Sequence, residues 1–503
     1  MKLTELAAGM PEYYGAGLRR GESDPDITSL FYDSRTPPSN PGEALFACVK
    51  GAHVDGHDLA GGAVAAGCAA LLCERELPLD IPQLIVRNAR AAMGEASALI
   101  LGYPAKRLAM LAVTGTNGKT TSAYLTRSVF NAAGIRCGML GTVVYDDGAA
   151  ETDALHTTPE GPDVQELLAS MLRNGCEACV MEASSHGLDQ GRLAGCSYDA
   201  VGFSNLTPEH LEYHSSLESY FAAKRLLFTD YTRGEWAAAV NADDSYGQRL
   251  LGEFRDNARS FSLSPGSSAD YRATITKYDL EGLTLEVIYP DGERRAVQSS
   301  LVGEYNASNI LEALAMADIR QIGRDAAIKG IQNCSRVPGR LERYDLGNGV
   351  RVFIDFAHST DSMEKVLRTL APLAKGKIWA LWGAGGDRTA MKRPVVGGLM
   401  AKYADRVVVT SDNPRSESPA AIAAQVESGV LACAEKKSGM LHEVILDRRE
   451  AIFHALSGAA PNDIVLIAGK GPERFIDYGD RKEPFLDSGV LHEWAEKSGV
   501  EVA

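Results

Sequence analysis

The sequence predicts an α/β protein of three domains. Two observations carry this, and a third divides the chain. Apolar runs rich in Val, Leu, Ala and Ile, such as "LAMLAV", "CEACVME" and "DIVLIAG", alternate with amphipathic stretches. Strands that are apolar throughout are buried on both faces, which is the mark of parallel sheets covered by helices. Most of these runs end in polar or glycine-rich segments, where α/β sheets place their ligands. Between about 265 and 300 the pattern changes to period-two alternation.

Residues 1–106 form the first predicted domain. There "EALFACV" reads as a strand, "LAGGAVAAGCAALLCE" as a helix and strand, "PQLIVRN" as a strand, and "ARAAMGEASALILGYPAKR" as a helix closing near Pro104. Residues 107–336 form the second, built on "LAMLAVTGTNGKTT", "CEACVMEAS" and "DAVGFSNL". The alternating segment "YRATITKYDLEGLTLEVIYPDGERRAVQSS", with its Pro-Asp-Gly turn, reads as a small attached antiparallel sheet. The helix "GEYNASNILEALAMADI" follows. Pro338–Gly339 punctuates the chain before the third domain, 337–503, a Rossmann-like α/β unit. Its strand-then-loop units are "VRVFIDFAHS", "KIWALWGAGGD", "DRVVVTSDNPR" and "DIVLIAGKGPE".

Composition excludes several classes. The 503 residues carry a formal net charge of −15, unlike a general nucleic-acid binder. The N-terminus shows no signal peptide and no run is apolar enough to span a bilayer, so a cytoplasmic enzyme is expected. Nine scattered cysteines fit reduced thiols. The Cys176–Cys179 pair has no partner pair at metal spacing and reads as small residues entering a strand.

"VTGTNGKTTSAYL" reads as a phosphate loop feeding a helix. Gly115 and Gly118 let the backbone turn tightly and aim N–H groups at phosphate oxygens, and Thr116, Asn117 and Thr121 belong to the same expected ATP-binding loop. Lys119 suits the β and γ phosphates and Thr120 a Mg²⁺ ion. The general P-loop pattern asks for Gly where this chain has Val113. Glu182 ends a strand from which a carboxylate reaches the loop's metal. Asn205, His210, His214 and Lys224 follow another strand end; the four-residue spacing of the histidines suits zinc but lacks a third ligand.

In order, "GTNGKTT", "TTPE", "MEASSHGLDQGRL", "FSNLTPEHLEYH", "AAKRLLF", "GEYNASN", "PGRLE", "GAGGDR", "TSDNPR" and "AGKG" resemble the motifs of the Mur ligase family. Folylpolyglutamate synthetases share "GTNGKT" but not "SSHGLDQGR" or "DNPR". The resemblance spans nearly the whole chain. It implies an ATP- and Mg²⁺-dependent amide ligase of peptidoglycan precursor synthesis, acting through an acyl phosphate. The form resembled adds the third residue to UDP-N-acetylmuramoyl-L-alanyl-D-glutamate. The first domain then binds the UDP substrate, the second ATP and the third the amino acid.

The resemblance implies particular roles. Lys119, Glu182, His210 and Lys224 are catalytic. Thr120, Glu182, His210 and a carbamylated Lys224 are metal ligands. Asn309, Arg340 and Asp355 join the loop in binding ATP. Ser34 touches uridine, and Thr157, Thr158, Ser184, Gln190 and Arg192 hold the muramoyl dipeptide. Arg388, Asp412, Asn413, Pro414, Arg415, Gly469 and Glu473 take the amino acid. "DNPR" implies meso-diaminopimelate, with L-lysine or another diamino acid as the alternative. The chain departs from the family at "GKGPE", "DFAHSTD" and "DRTAMKRP", which bear on amino-acid choice. A monomer is expected, with no membrane insertion and no nucleic acid. The competing readings are a P-loop phosphotransferase and a non-catalytic nucleotide-binding regulator.

Overall fold

A computed structural model describes residues 1–19, 23–51 and 54–503. The chain forms two compact units. One holds residues 1–273, 287–295 and 308–333; the other holds 274–286, 296–307 and 334–503.

In the first unit, a five-stranded sheet is parallel except at Gly17–Arg19. Its central strands Ala44–Ala47 and Ala70–Cys73 are wholly buried, as their unbroken apolar runs require. Helix Ala89–Ile100, capped by the Asn88 side chain, packs on helix Gly161–Arg173. The contact is glycine on glycine: a Cβ on Gly161 would stand 2.6 Å from Gly94 Cα. Tyr32 donates to Asp163 (2.6 Å), and Arg90 pairs with Glu160.

An eleven-stranded sheet follows. Strand Ala109–Thr114 lies between Ala178–Glu182 and Tyr198–Phe203, parallel to both. Helix Lys119–Ala132 leaves its carboxyl end. The predicted antiparallel segment forms strands Tyr271–Asp279, Gly282–Ile288 and Arg294–Ser299. Its first strand begins within this unit, where Phe261 pairs parallel with Tyr271 and Ser262 with Arg272. A short hairpin, Val144–Asp146 and Glu151–Asp153, extends the opposite edge; nothing in its sequence had marked it as a strand pair.

The second unit centres on a six-stranded sheet. Strands Arg351–Asp355, Ile464–Ala468, Ile378–Trp382, Arg406–Val409 and Leu441–Val444 run parallel, and Glu342–Asp345 pairs antiparallel at one edge. Ile464–Ala468 and Ile378–Trp382 are buried at every position. All the carboxyl ends therefore fall on one edge, where the polar loops lie. Among the described residues no helix is long and apolar enough to cross a membrane.

Candidate active site

The phosphate loop is held by close backbone approach. Gly115 and Gly118 have φ of +148° and +94°, and a Cβ at Gly118 would come within 2.4 Å of Asn309 Oδ1. The next strand end supports the loop from beside it. Thr116 N donates to Asn205 O (2.8 Å), Asn117 N to Asn205 Oδ1 (3.0 Å), and Ser204 Oγ to Asn117 O (2.6 Å). Lys119 Nζ folds back onto Gly115 O (3.0 Å) and Thr116 O (2.9 Å). Thr120 and Thr121 are buried in the first helical turn, at the positive end of the helix dipole.

Glu182 is the junction between this loop and the predicted dipeptide residues. It is buried, and its carboxylate accepts from Thr120 Oγ1 (3.0 Å), Thr142 N (2.8 Å) and Thr142 Oγ1 (2.9 Å). Thr142 in turn meets Thr157 Oγ1 at 3.1 Å. Thr158 Oγ1 donates to Glu182 O (2.8 Å) and lies 2.9 Å from Ser184 Oγ. Arg192 donates to Thr158 O (3.0 Å) and grips Gln190 Oε1 through Nε and Nη2. Thr157, Thr158, Ser184, Gln190 and Arg192 thus form one connected surface beginning at Glu182. Ser34 sits apart from it, in the Asp33–Thr36 turn of the N-terminal sheet.

Lys224 is 1% exposed on helix Leu217–Thr229, with Nζ on Gly115 O (2.7 Å) and 4.5 Å from the Tyr220 ring centre. Burial holds its amine well below the usual lysine range, and nearby Lys119 pushes the same way. His210 has φ of +56° and belongs to a neighbouring aromatic cluster with His186, Tyr213 and His214. Burial, and then the neighbouring His210, lower the His186 imidazole to about 4. Among the described residues no three His, Cys, Asp or Glu side chains are grouped to hold a metal ion. Cys176 and Cys179 are buried free thiols.

The second unit gathers the remaining residues at its strand ends. Asp355 is buried and accepts from Leu341 N (2.7 Å) and Ala357 N (2.8 Å), so it braces the Pro-Gly-Arg turn that carries Arg340. Pro472 covers that turn: a Cβ on Gly339 would stand 2.4 Å from Pro472 Cδ. Asn413 Nδ2 donates to Glu473 Oε2 (2.8 Å). Lys470, quoted in "AGKG" but given no role by the sequence reading, is their hub. Its fully buried ammonium donates to Asn413 Oδ1 (3.1 Å), Glu473 Oε2 (3.0 Å) and Phe475 O (2.5 Å), and lies 3.7 Å from Asp412.

Arg415, next to Pro414 and with φ of +50°, donates to Gly386 O (2.6 Å) and stands 3.7 Å from Asp477. Gly469, with φ of +107°, lets the backbone pass close to Asp412. Arg388 is exposed. A charged pair that no motif had singled out, Arg448 and Asp487, lies behind these loops.

The sequence matches the models for the Mur ligase catalytic domain over residues 26–114, the Mur ligase middle domain over 113–317, and the glutamate ligase domain over 339–471. The chain belongs to the Mur ligase family. It is therefore an ATP-dependent, ADP-forming ligase. Among Mur ligases, the UDP-N-acetylmuramoyl-L-alanyl-D-glutamate–2,6-diaminopimelate ligase of Bacillus licheniformis is 37% identical, over 97% of this chain and 98% of that one. The ligase of the same name from Streptomyces coelicolor is 39% identical, over 96% and 95%. A solved structure of a ligase of that name superposes with a TM-score of 0.67 at 30% identity, covering 94% and 95%. A MurF ligase from Thermotoga maritima in complex with ADP shares the fold, with a TM-score of 0.61 at 17% identity, covering 94% and 98%.

Proposed function

We propose that this Mur ligase joins meso-diaminopimelate to UDP-N-acetylmuramoyl-L-alanyl-D-glutamate in peptidoglycan precursor synthesis. The observation that carries the reading is the hydrogen-bonded path from Thr120 through Glu182 and Thr142 to Thr157, Thr158 and Arg192. It sets a phosphate site beside a polar surface suited to an anionic peptide. A carboxylate oxygen of the D-glutamyl residue attacks the γ-phosphorus, and the bond to the β–γ bridging oxygen breaks. ADP leaves and an acyl phosphate remains. The amine of the incoming amino acid attacks the acyl carbon. Its C–O bond to phosphate breaks, inorganic phosphate departs, and the nitrogen gives up its surplus proton.

Each residue has a defined task in this scheme. Lys119 turns from its own loop to the phosphates and offsets charge where two anions meet. The buried carboxylate of Glu182 beside the Thr120 hydroxyl is the donor set a Mg²⁺ ion takes, and bound there it would neutralise phosphate charge. His210 and a carbamylated Lys224 would serve a second such ion. Forming the carbamate needs an uncharged amine: nitrogen bonds to the carbon of CO₂ and releases a proton. The depressed basicity of Lys224 supplies that amine. Asn309, Arg340 and Asp355 serve the nucleotide, and Ser34 the uridine. A reaction that consumes ATP and a UDP-linked sugar fits the cytoplasmic location expected from the sequence.

The amino acid would meet Asn413, Arg415 and Glu473, with Arg388, Asp412, Pro414 and Gly469 around them. Arg415 is partly exposed and already donates to Gly386 O, so a substrate without a distal carboxylate does not strand a buried cation. The preference for diaminopimelate over lysine is then one charge-assisted hydrogen bond, about 1.5–3 kcal/mol, or roughly ten- to 150-fold. Ligation assays on a panel of diamino acids test this. Arg415→Ala should raise the KM for diaminopimelate, narrow its lead over lysine and leave the KM for ATP unchanged. Equal use of lysine by the wild type would reject the substrate assignment and leave the ligase intact.

A further inference from the structure

Arg448 and Asp487 are the first residues of helices Arg448–Gly458 and Asp487–Ser498. Both side chains are 0% exposed, and they meet as a two-pronged pair at 2.7 Å on each prong. The guanidinium has donors left over. Nη1 reaches Ser411 O (3.3 Å) and Nη2 reaches Ala468 O (3.1 Å). Ala468 ends strand Ile464–Ala468, and Ser411 lies two residues beyond the end of strand Arg406–Val409. Ser411 directly precedes Asp412 and Asn413, and Ala468 directly precedes Gly469 and Lys470.

A buried ion pair is poor value for stability alone, because apolar residues of similar volume serve as well. Here the cation does something an apolar pair cannot. A planar fork with fixed donor directions sets the separation of two carbonyls. One of them begins the loop bearing Asn413 and Arg415, the other the loop bearing Lys470 and Glu473. Those loops already share the hydrogen bond between Asn413 and Glu473. Asp412, also buried between the loops, has Oδ1 without a hydrogen-bond partner, so its placement rests on the surrounding cations.

We infer that the Arg448–Asp487 pair is a positioning device for the amino-acid pocket, setting the spacing of its two loops without touching substrate. This rests on the assignment of Asn413, Arg415 and Glu473 to that pocket. The test compares Arg448→Lys with the double variant Arg448→Met, Asp487→Leu. For each, KM for the amino acid, KM for ATP, kcat and the urea unfolding midpoint are measured, and the wild type is run on the full diamino-acid panel. Arg448→Lys keeps the buried charge but loses the fork; it should raise the amino-acid KM roughly tenfold or more with the ATP KM within about twofold. The double variant should unfold near the wild-type midpoint and show the same selective rise. A wild-type amino-acid KM in Arg448→Lys, or in a stable double variant, would overturn the inference. So would parallel losses in both KM values that track a lowered midpoint. If the double variant does not fold, Arg448→Lys decides alone. Arg415→Ala, measured alongside, reads the pocket itself: an unchanged amino-acid KM there would reject the pocket assignment instead, and that result is read first.

Discussion

Glu312 shows how far a single residue can depart from its usual setting. It lies fully buried on helix Asn306–Ile319, one turn after Asn309, and Ser122 Oγ donates to it at 2.6 Å. A Cβ at Gly202 would stand 2.6 Å from its other oxygen. Burial raises its carboxyl from 4.5 to about 8, the bond from Ser122 opposing. The native state therefore holds a proton that the unfolded chain releases at about 4.5. Stability from this group is complete below 4.5 and is lost as pH rises to about 8, on the order of a few kcal/mol across the window. Urea midpoints between pH 5 and 8.5 should fall with pH in the wild type and flatten in Glu312→Gln; parallel curves would refute the assignment. Lys224 is the second such residue. Removing CO₂ and bicarbonate should lower wild-type turnover reversibly, and Lys224→Ala should lose most activity while keeping its far-ultraviolet circular dichroism. Full activity in CO₂-free buffer would reject the carbamate. Sequence alone cannot find Glu312, because a helical glutamate is ordinarily solvated and only the opposing strand's glycine makes room for it.

At the scale of elements, the strands that carry the site were readable from their unbroken apolar runs. "LAMLAV", "CEACVME" and "DAVGFSNL" became the buried neighbours Ala109–Thr114, Ala178–Glu182 and Tyr198–Phe203, and their polar ends became the phosphate loop, Glu182 and Asn205. Less was readable where partner choice decides. Alternation identified Tyr271–Ser299 as hairpin strands, but which edge they join depends on Phe261 and Ser262, distant from the alternating segment. Thr142 was invisible for a similar reason: it follows an ordinary strand, and only the fold brings it to Glu182. The packing of helix Ala89–Ile100 on helix Gly161–Arg173 is testable at this scale. Gly161→Val drives a branched side chain into Gly94 backbone, which should cost roughly 1–3 kcal/mol. The KM for the UDP substrate should rise with it, since Glu160 adjoins the contact and pairs with Arg192. An unchanged melting temperature would show that the helices re-pack freely.

For the whole molecule, the question is what prevents ATP from being spent on water. In the structure Lys119 is occupied by Gly115 O and Thr116 O, and Glu182 by Thr120 and Thr142. Phosphoryl transfer requires a nucleophile held in line with the γ-phosphorus. A bound carboxylate meets that need at high effective concentration, whereas solvent water does not, a difference of at least about a hundredfold in rate. The acyl phosphate then waits for the amine. The expected result is phosphate release that is slow with ATP alone and remains at one turnover or fewer when only the muramoyl dipeptide is added. It becomes continuous when dipeptide and amino acid are both present. Lys119→Ala should abolish all three regimes, because the γ-phosphate charge is left without its cation. A phosphotransferase or a free-standing nucleoside triphosphatase would behave differently. Steady phosphate release without either acceptor, measured in a continuous coupled assay, would exclude the ligase mechanism proposed for this site.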